Sequence, residues 1–270
     1  MTPEIRALVG CLVVGVFAPV IGTFLVQKRL SLIGDGIGHV AFAGIGAGLL
    51  LGVWPVWTAM LFAVTGAVGI ELLRARRRAS GDLALALFFY AGLALGAVFA
   101  SRSGDLDYET LPYLFGDPLH ISGGGLVTIA AVGVAVCAVV WSGRRVLFAI
   151  VSDEDWSRVQ GLPVDRMNAV LAALSAAVVV AGMRIVGLLL VAALLVMPVA
   201  SAQILARSFR STILMASAIG AACAVAGLAL GLALDVEPGG VIVLLASAVF
   251  AGITVVTRRA PRTLRQEEHA

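Results

Sequence analysis

Long apolar runs, separated by short polar or basic segments, make up almost the whole chain. The runs repeatedly approach about 20 residues, the length that an α-helix needs to cross the hydrocarbon core of a membrane. They lack the alternation of apolar and polar positions that is typical of strands in a membrane barrel. The pattern therefore predicts an all-α, polytopic membrane helical bundle. About nine transmembrane helices are expected, over residues 7–26, 34–53, 55–73, 82–100, 120–141, 165–183, 185–206, 211–233 and 238–257.

The composition agrees with a membrane protein. Of the 270 residues, 60% are hydrophobic and 13% are charged, whereas a soluble domain has about 25% charged residues. The three cysteines lie singly inside apolar runs, so neither a disulfide framework nor a thiolate metal site is expected. The first run lacks a strongly basic start and a clear cleavage site, and we expect it to be retained as a helix.

The basic residues predict the orientation of the bundle. With the N-terminus outside, 16 of the 19 lysines and arginines fall in cytoplasmic segments, and only Arg6, Arg102 and Arg184 lie outside. Because cytoplasmic loops carry an excess of lysine and arginine, we expect the N-terminus outside and the C-terminus in the cytoplasm. Residues 1–257 form one transmembrane domain in this scheme, and 258–270 form a cytoplasmic tail. The basic residues lie at helix ends rather than in one patch, so no nucleic-acid partner is expected, whereas contact with membrane lipid is.

Asp35 and His39 are the strongest candidates for chemistry. They are spaced i,i+4 at the start of the second predicted span, which places them on one face of a helix. Because a charged group in lipid is costly, the pair should face a cavity or a partner subunit, and we interpret it as part of a cation path. The alternative is structural: Asp35 caps the start of the helix, and His39 bonds to a neighbouring backbone group.

Two further segments stand out. On the predicted outer side, the longest loop carries the acids Asp105, Asp107, Glu109 and Asp117, which could concentrate cations by their field. Asp117 and His120 form a second oxygen and nitrogen pair at i,i+3, a candidate for the outer mouth, although Pro118 between them suggests a helix start instead.

On the cytoplasmic side, residues 152–162 predict a short amphipathic helix between two spans. Ser152 is a candidate N-cap, and Gly161 with Pro163 would end the helix. The acidic residues suit a helix N-terminus, and this pattern favours a docking helix over a surface linker. Its candidate docking residues are Asp153, Glu154, Asp155, Trp156 and Gly161.

Several chemistries find no support in the sequence. No G-x-x-x-x-G-K-[ST] motif occurs, so the chain is not expected to bind ATP by a P-loop. H-E-x-x-H and G-x-S-x-G are also absent, so an intramembrane enzyme has no catalytic set. Glycine pairs at Gly44/Gly48, Gly92/Gly96 and Gly227/Gly231 predict close helix packing.

The chain resembles the metal-type ABC transporter permeases, the membrane subunits of bacterial zinc, manganese and iron importers. Three segments carry the resemblance: APVIGTFLVQKRLSLIGDGIGHVAFAGIGAG at 18–48, YLFGDPLHIS at 113–122 and GLLLVAALLVMPVASAQILA at 187–206. The similarity extends over nearly the whole chain, and the first segment is the most specific.

The resemblance implies a permease subunit that is not itself an enzyme, in the bacterial inner membrane. Its implied partners are a second copy of the chain, a separate ATP-binding subunit and an extracytoplasmic metal-binding protein. Asp35 and His39 match the pore-lining acidic and histidine positions, and the segment at 152–162 matches the coupling helix that contacts the ATPase. No permanently bound cofactor is implied, and a divalent metal ion is the transported substrate. Asp117 and His120 match no ligand pair of the family.

Two other functions remain open at the level of the sequence. One is a permease for a metal chelate or cobalamin, which would need a wider cavity and no close ligand pair. The other is an ion-coupled secondary carrier acting alone, although the sequence shows neither clear inverted repeats nor several intramembrane charges. The ligand types do not distinguish zinc from manganese or iron.

Overall fold

A computed structural model describes residues 1–75, 81–103 and 111–259, and every regular element in these ranges is an α-helix. The helices are α1 (Pro3–Gln27), α2 (Ile33–Leu51), α3 (Pro55–Ala75), α4 (Gly81–Ser103), α5 (Leu111–Phe115), α6 (Gly123–Ser152), α7 (Glu154–Val159), α8 (Val164–Val186), α9 (Leu188–Leu205), α10 (Phe209–Leu234) and α11 (Pro238–Arg259). The predicted acids Asp105, Asp107 and Glu109 and the tail from residue 260 lie outside the described residues.

Eight of these helices are long and apolar enough to cross a membrane, and a ninth apolar helix is shorter. The eight are α1, α2, α3, α4, α6, α8, α10 and α11, and the shorter one is Leu190–Leu205 in α9. The predicted all-α polytopic bundle is therefore confirmed. α5 and α7 are too short to span and lie between the long helices.

The helices connect two ends of the bundle. At one end, Lys28 after α1, Arg74 in α3 and Glu154 at the start of α7 meet through hydrogen bonds and ion pairs. At the other end, the Asp117 amide donates to the Arg184 carbonyl at 3.1 Å, near the start of α9. We call these the Glu154 end and the Asp117 end. Which of them faces the cytoplasm stays a prediction.

α9 runs between the two ends despite its length. It starts one residue after Gly187, whose position lies against the backbone of Phe115 at the Asp117 end. After α9 ends, the ring of Phe209 lies 5.1 Å from the rings of both Phe24 and Phe148. Phe24 and Phe148 lie near the C-terminal ends of α1 and α6, at the Glu154 end of the bundle. The nine apolar helices therefore alternate in direction as the sequence predicts.

The core surrounds α1 and α2, which are the most buried spans. The predicted glycine pairs are confirmed as points of close helix approach. A Cβ added at Gly44 would lie 2.6 Å from Ala59 Cα in α3, one at Gly92 would lie 2.7 Å from the His39 backbone, and one at Gly227 would lie 2.6 Å from Ile242 Cα in α11. Glycine at these positions lets the backbones pack closely.

Two predicted boundaries were wrong. The fifth span was expected to end at residue 141, but α6 continues to Ser152, because nothing in the basic segment at 142–145 breaks a helix. Ser152 is therefore inside α6 rather than the N-cap of the next helix. That cap is Asp153, whose carboxylate accepts a hydrogen bond from the Trp156 amide at 2.8 Å.

Candidate functional site

α2 places Asp35 and His39 on one face, between α4 and α9. The glycines around Asp35 let both neighbours approach: a Cβ added at Gly36 would collide with a methyl of Leu85 in α4, and one at Gly34 would lie 3.2 Å from Ala192 in α9. Asp35 and His39 are each half-buried. The pair thus lies in a seam between two helices, in the first two turns of α2 from the Glu154 end.

Neither side chain has a polar partner in the part of the chain that the structure describes. Nδ1 of His39 is buried without a hydrogen bond, and the His39 ring packs edge-on against Phe89, with 4.1 Å between ring centroids. α2 has no side-chain cap at its start, where Leu32 is the N-cap. The structural alternative, with Asp35 as a cap and His39 bonded to the backbone, is therefore wrong.

A carboxylate oxygen and an imidazole nitrogen without polar partners on one helix face are atoms of the kinds that can bind a metal ion. Within residues 1–75, 81–103 and 111–259, no group of three or more His, Cys, Asp or Glu side chains could hold a metal ion. One copy of the chain therefore provides an open, incomplete coordination set there. Oxygen and imidazole nitrogen are ligands of borderline divalent ions such as Zn(II) and Mn(II).

Asp117 and His120 meet at the Asp117 end, but they bond to each other. Nδ1 of His120 lies 2.8 Å from one Asp117 carboxylate oxygen, and the His120 amide donates to the other at 3.2 Å. The segment forms a turn after Pro118 rather than the helix start that the sequence suggested. Their cleft of about 740 Å³ is also lined by Glu237, where burial, together with the charge of Asp117, raises the pKa of the Glu237 carboxyl.

α7 and its flanking residues form a compact turn of helix at the other end. Asp153 caps its start, and Gly161 follows its end with a φ of +75°. The Leu162 amide donates to the Ser157 carbonyl at 3.1 Å, and the Gly161 amide donates to the Arg158 carbonyl at 3.0 Å. This pair of bonds is the Schellman motif, which needs a left-handed residue where Gly161 lies.

The candidate docking residues of α7 point in different directions. Trp156 is 61% exposed and Val159 is 80% exposed, and Asp155 is also exposed. Glu154 points into the bundle, where its Oε2 lies 3.0 Å from Lys28 Nζ and 3.5 Å from an Arg74 guanidinium nitrogen.

Charges around Glu154 set its protonation. Burial alone would raise the pKa of the Glu154 carboxyl, but the hydrogen bond and charge of Lys28, together with Arg158 and Arg74, lower that pKa to about 2. Glu154 is therefore an anion at neutral pH. Burial lowers the pKa of the Lys28 ammonium, and the hydrogen bond and charge of Glu154 oppose that effect.

The sequence did not indicate these partners. No local pattern in the sequence connects Lys28 with Glu154, and the Lys28 side chain is 5% exposed. Glu71, in the apolar run of α3, is 4% exposed and accepts two hydrogen bonds from Arg74, at 2.8 and 2.9 Å. An acid three residues before an arginine inside an apolar run was the one signal that could have located this cluster.

Comparisons with known proteins agree with this architecture. The profile of the ABC 3 transport family matches residues 4–257. The manganese import system permease protein ScaB of Streptococcus parasanguinis is 30% identical, over 98% of this chain and 93% of its own length. The manganese transport system membrane protein MntC of Halalkalibacterium halodurans is 29% identical, over 91% of this chain and 84% of its own.

A solved structure shows the same fold. The chain is similar to one in the complex of PsaBC from Streptococcus pneumoniae with Fab, with a TM-score of 0.84 and 28% identity, over 97% of this chain and 93% of the other. The family match covers all nine apolar helices and both candidate pairs. The chain therefore belongs to the ABC 3 transport family and is a multi-pass membrane permease of the ABC transporter class.

Proposed function

We propose that this chain is the membrane-spanning permease subunit of an ATP-driven importer of divalent metal ions, with manganese the first candidate before zinc and iron. The observation that carries the proposal is the Asp35 and His39 pair, which has no polar partner among the described residues of an apolar bundle. The names of the relatives ScaB and MntC support manganese as the cargo.

The pair suits transient coordination. A transport site must bind an ion tightly enough to accept it and weakly enough to release it. Two ligands from one copy are too few for a stable site, and a second copy with its α2 face opposite would bring the set to four. Import would then proceed by alternating access through a pathway at this homodimer interface, with the ion partly hydrated throughout.

The position of the pair along α2 supports a role in one half of the transport path. Asp35 is the third residue of α2, and His39 lies about 6 Å further along the helix at about 1.5 Å per residue. With the Glu154 end in the cytoplasm, the pair is a waystation or gate in the inner half of the path. Asp117 and His120 would belong to the outer surface that receives the ion from an extracytoplasmic binding protein.

The ATPase would dock at the Glu154 end. Trp156 and Val159 are large, apolar and exposed on a helix that is too short to enter the membrane, and a separate ATP-binding subunit is the partner that the family implies. Asp155 lies exposed between them and Glu154. The ATPase supplies the hydrolysis, and this chain supplies the pathway.

Uptake of Mn(II) tests the site. Cells that depend on this system should lose most Mn(II) uptake with Asp35→Ala and with His39→Ala, at unchanged membrane level of the protein. Asp82→Ala is the matched control, because Asp82 is an exposed carboxylate in the first turn of α4, and it should transport normally. Normal uptake by both site variants would show that the pair is not on the path.

The same assay separates cargo and mechanism. A permease for a chelate or for cobalamin would take up the complexed ion and leave free Mn(II) behind. A secondary carrier would keep transporting when a P-loop ATPase that purifies with the chain is inactivated. We expect uptake of the free ion and its loss with the ATPase.

A further inference from the structure

Glu154 joins α7 to the transmembrane helices. Its carboxylate bonds Lys28 after α1 and Arg74 in α3, and it also accepts hydrogen bonds from Asn168 in α8, at 3.3 Å, and from Arg158 in α7, at 3.1 Å. Among the described residues, every side-chain hydrogen bond or ion pair from α7 to α1 or α3 ends on Glu154. One carboxylate therefore connects the proposed docking helix to Lys28, at the end of α1, and to Arg74 in α3.

Lys28, the partner of Glu154 in this ion pair, is also held by a second hydrogen bond and by burial. Its ammonium also donates to the Asn168 side-chain oxygen, and the Lys28 side chain is 5% exposed. A buried ammonium whose partner is removed has no water to replace it, so the ion pair resists separation. A movement of Glu154 should therefore carry Lys28 with it.

Lys28 lies at the turn that begins α2. It is the C-cap of α1, and Arg29 follows with a φ of +58°. The Leu30 amide donates to the Leu25 carbonyl at 2.8 Å, which closes a second Schellman motif and holds the turn tight. α2 begins at Ile33, and Asp35 is seven residues after Lys28.

We propose that the Glu154–Lys28 ion pair is the link through which a displacement of α7 reaches the start of α2 and shifts Asp35 and His39. Lys28 is then a positioning residue for transport: it touches neither the ion nor the ATPase. The inference rests on the proposed function, because it takes α7 as the ATPase contact and the α2 pair as the ion site.

The geometry favours this route over a purely covalent one. α7 is continuous with α6 and α8, and Arg158 already ties it to Asp165 at the start of α8, at 2.7 Å. Those contacts tie α7 to α6 and α8, and α8 itself reaches Lys28 through Asn168. Among the described residues, Glu154 is the α7 side chain that bonds directly to the end of α1, where the chain turns into the helix that carries the candidate ligands.

The test is Lys28→Met in the complete system, with its ATPase and binding protein. Three quantities are measured: co-purification of the ATPase, basal ATP hydrolysis, and the stimulation of hydrolysis by the Mn(II)-loaded binding protein. We expect co-purification and basal hydrolysis near wild type. Stimulation and Mn(II) uptake should fall about tenfold, because a charge-assisted hydrogen bond is lost from the link. Lys28→Arg, which keeps the charge, should restore most of the stimulation.

Arg145→Met is the matched control. Arg145 is an exposed basic residue near the same end, and no ion pair joins it to the described residues. It should leave stimulation unchanged. If Lys28→Met does not assemble, the ratio of stimulated to basal hydrolysis is measured on Glu154→Gln, which keeps the shape of the side chain.

Two results would overturn the inference. Stimulation within twofold of wild type would show that the ion pair does not transmit the movement. An equal loss of co-purification, basal hydrolysis and uptake would show that Lys28 only stabilises the fold. Failure of the proposed function is distinct, because wild type itself would then show no Mn(II) uptake.

Discussion

Gly92, in α4, determines the position of His39 on α2 because it has no side chain. Gly92 of α4 packs directly on the His39 backbone, and Phe89, one turn earlier in α4, covers the imidazole ring. The close crossing therefore fixes both the height of His39 on α2 and the orientation of its ring. The unpaired Nδ1 is held in place by apolar packing rather than by a hydrogen bond.

Gly92→Ala should disturb the site without touching a ligand. The added Cβ would lie 2.7 Å from the carbonyl carbon and oxygen of His39, and backbone atoms cannot rotate away as a side chain can. α4 must then separate from α2, at a cost of about 1–3 kcal/mol. We expect a lower melting temperature in detergent and reduced Mn(II) uptake.

The control for this substitution is Gly252→Ala in α11. A Cβ at Gly252 would meet no atom within 4 Å, so the change should leave stability equal to wild type or raise it by up to about 1 kcal/mol. Equal stability and uptake in the two variants would contradict the tight crossing at His39.

At the scale of elements, α7 depends on how it ends. Six residues form the helix, too few to be stable alone in water. Its stability therefore comes from Asp153 at the start, Ser157 buried beneath it and the Schellman turn at Gly161. If α7 is rigid, a displacement of the helix also displaces Glu154. If its ends unfold, the displacement is lost within α7 and does not reach Glu154.

Gly161→Ala should loosen α7. A Cβ there would meet nothing within 4 Å, so space is available, but the φ of +75° disfavours any L side chain by about 1–2 kcal/mol. Amide hydrogen exchange in α7 should accelerate by a factor of about 5–30, and less ATPase should co-purify.

Gly124→Ala is the comparison for Gly161. Gly124 also has open space around its position, and it lies in the first turn of α6 without a positive φ. Amide hydrogen exchange in α7 should be the same in Gly124→Ala as in the wild type. Unchanged exchange in Gly161→Ala itself would show that the left-handed turn does not support the helix.

The elements were predictable to different degrees. The apolar runs predicted all nine apolar helices of the described residues, because each run must satisfy its own backbone inside a membrane. The end of α6 was not predictable in this way, since the basic residues near 144 predict a membrane edge, whereas the helix itself continues to Ser152. The i,i+4 spacing predicted that Asp35 and His39 share one helix face. Lys28 and Glu154 are 126 positions apart, and no local pattern connects them.

For the whole molecule, the two ends differ in charge as well as in contacts. Lys28, Arg74 and Arg158 gather at the Glu154 end, whereas Arg6, Arg102 and Arg184 are the basic residues predicted outside. Because lysine and arginine are retained in the cytoplasm during insertion, we expect the Glu154 end inside. The ATPase contact and the receiving surface then lie on opposite faces, as an importer requires.

Cysteine labelling tests this orientation. In a background with Cys11, Cys137 and Cys223 replaced by alanine, Val236→Cys places a thiol between α10 and α11 at the Asp117 end, and Gln160→Cys places one beside α7; both positions are exposed. A membrane-impermeant maleimide should label Val236→Cys in intact spheroplasts and Gln160→Cys only after permeabilisation. The background without cysteines should stay unlabelled. The reverse pattern would put the N-terminus in the cytoplasm and remove α7 from reach of a cytoplasmic ATPase. Labelling of both thiols in intact spheroplasts would contradict the assignment of the two ends to opposite sides of the membrane.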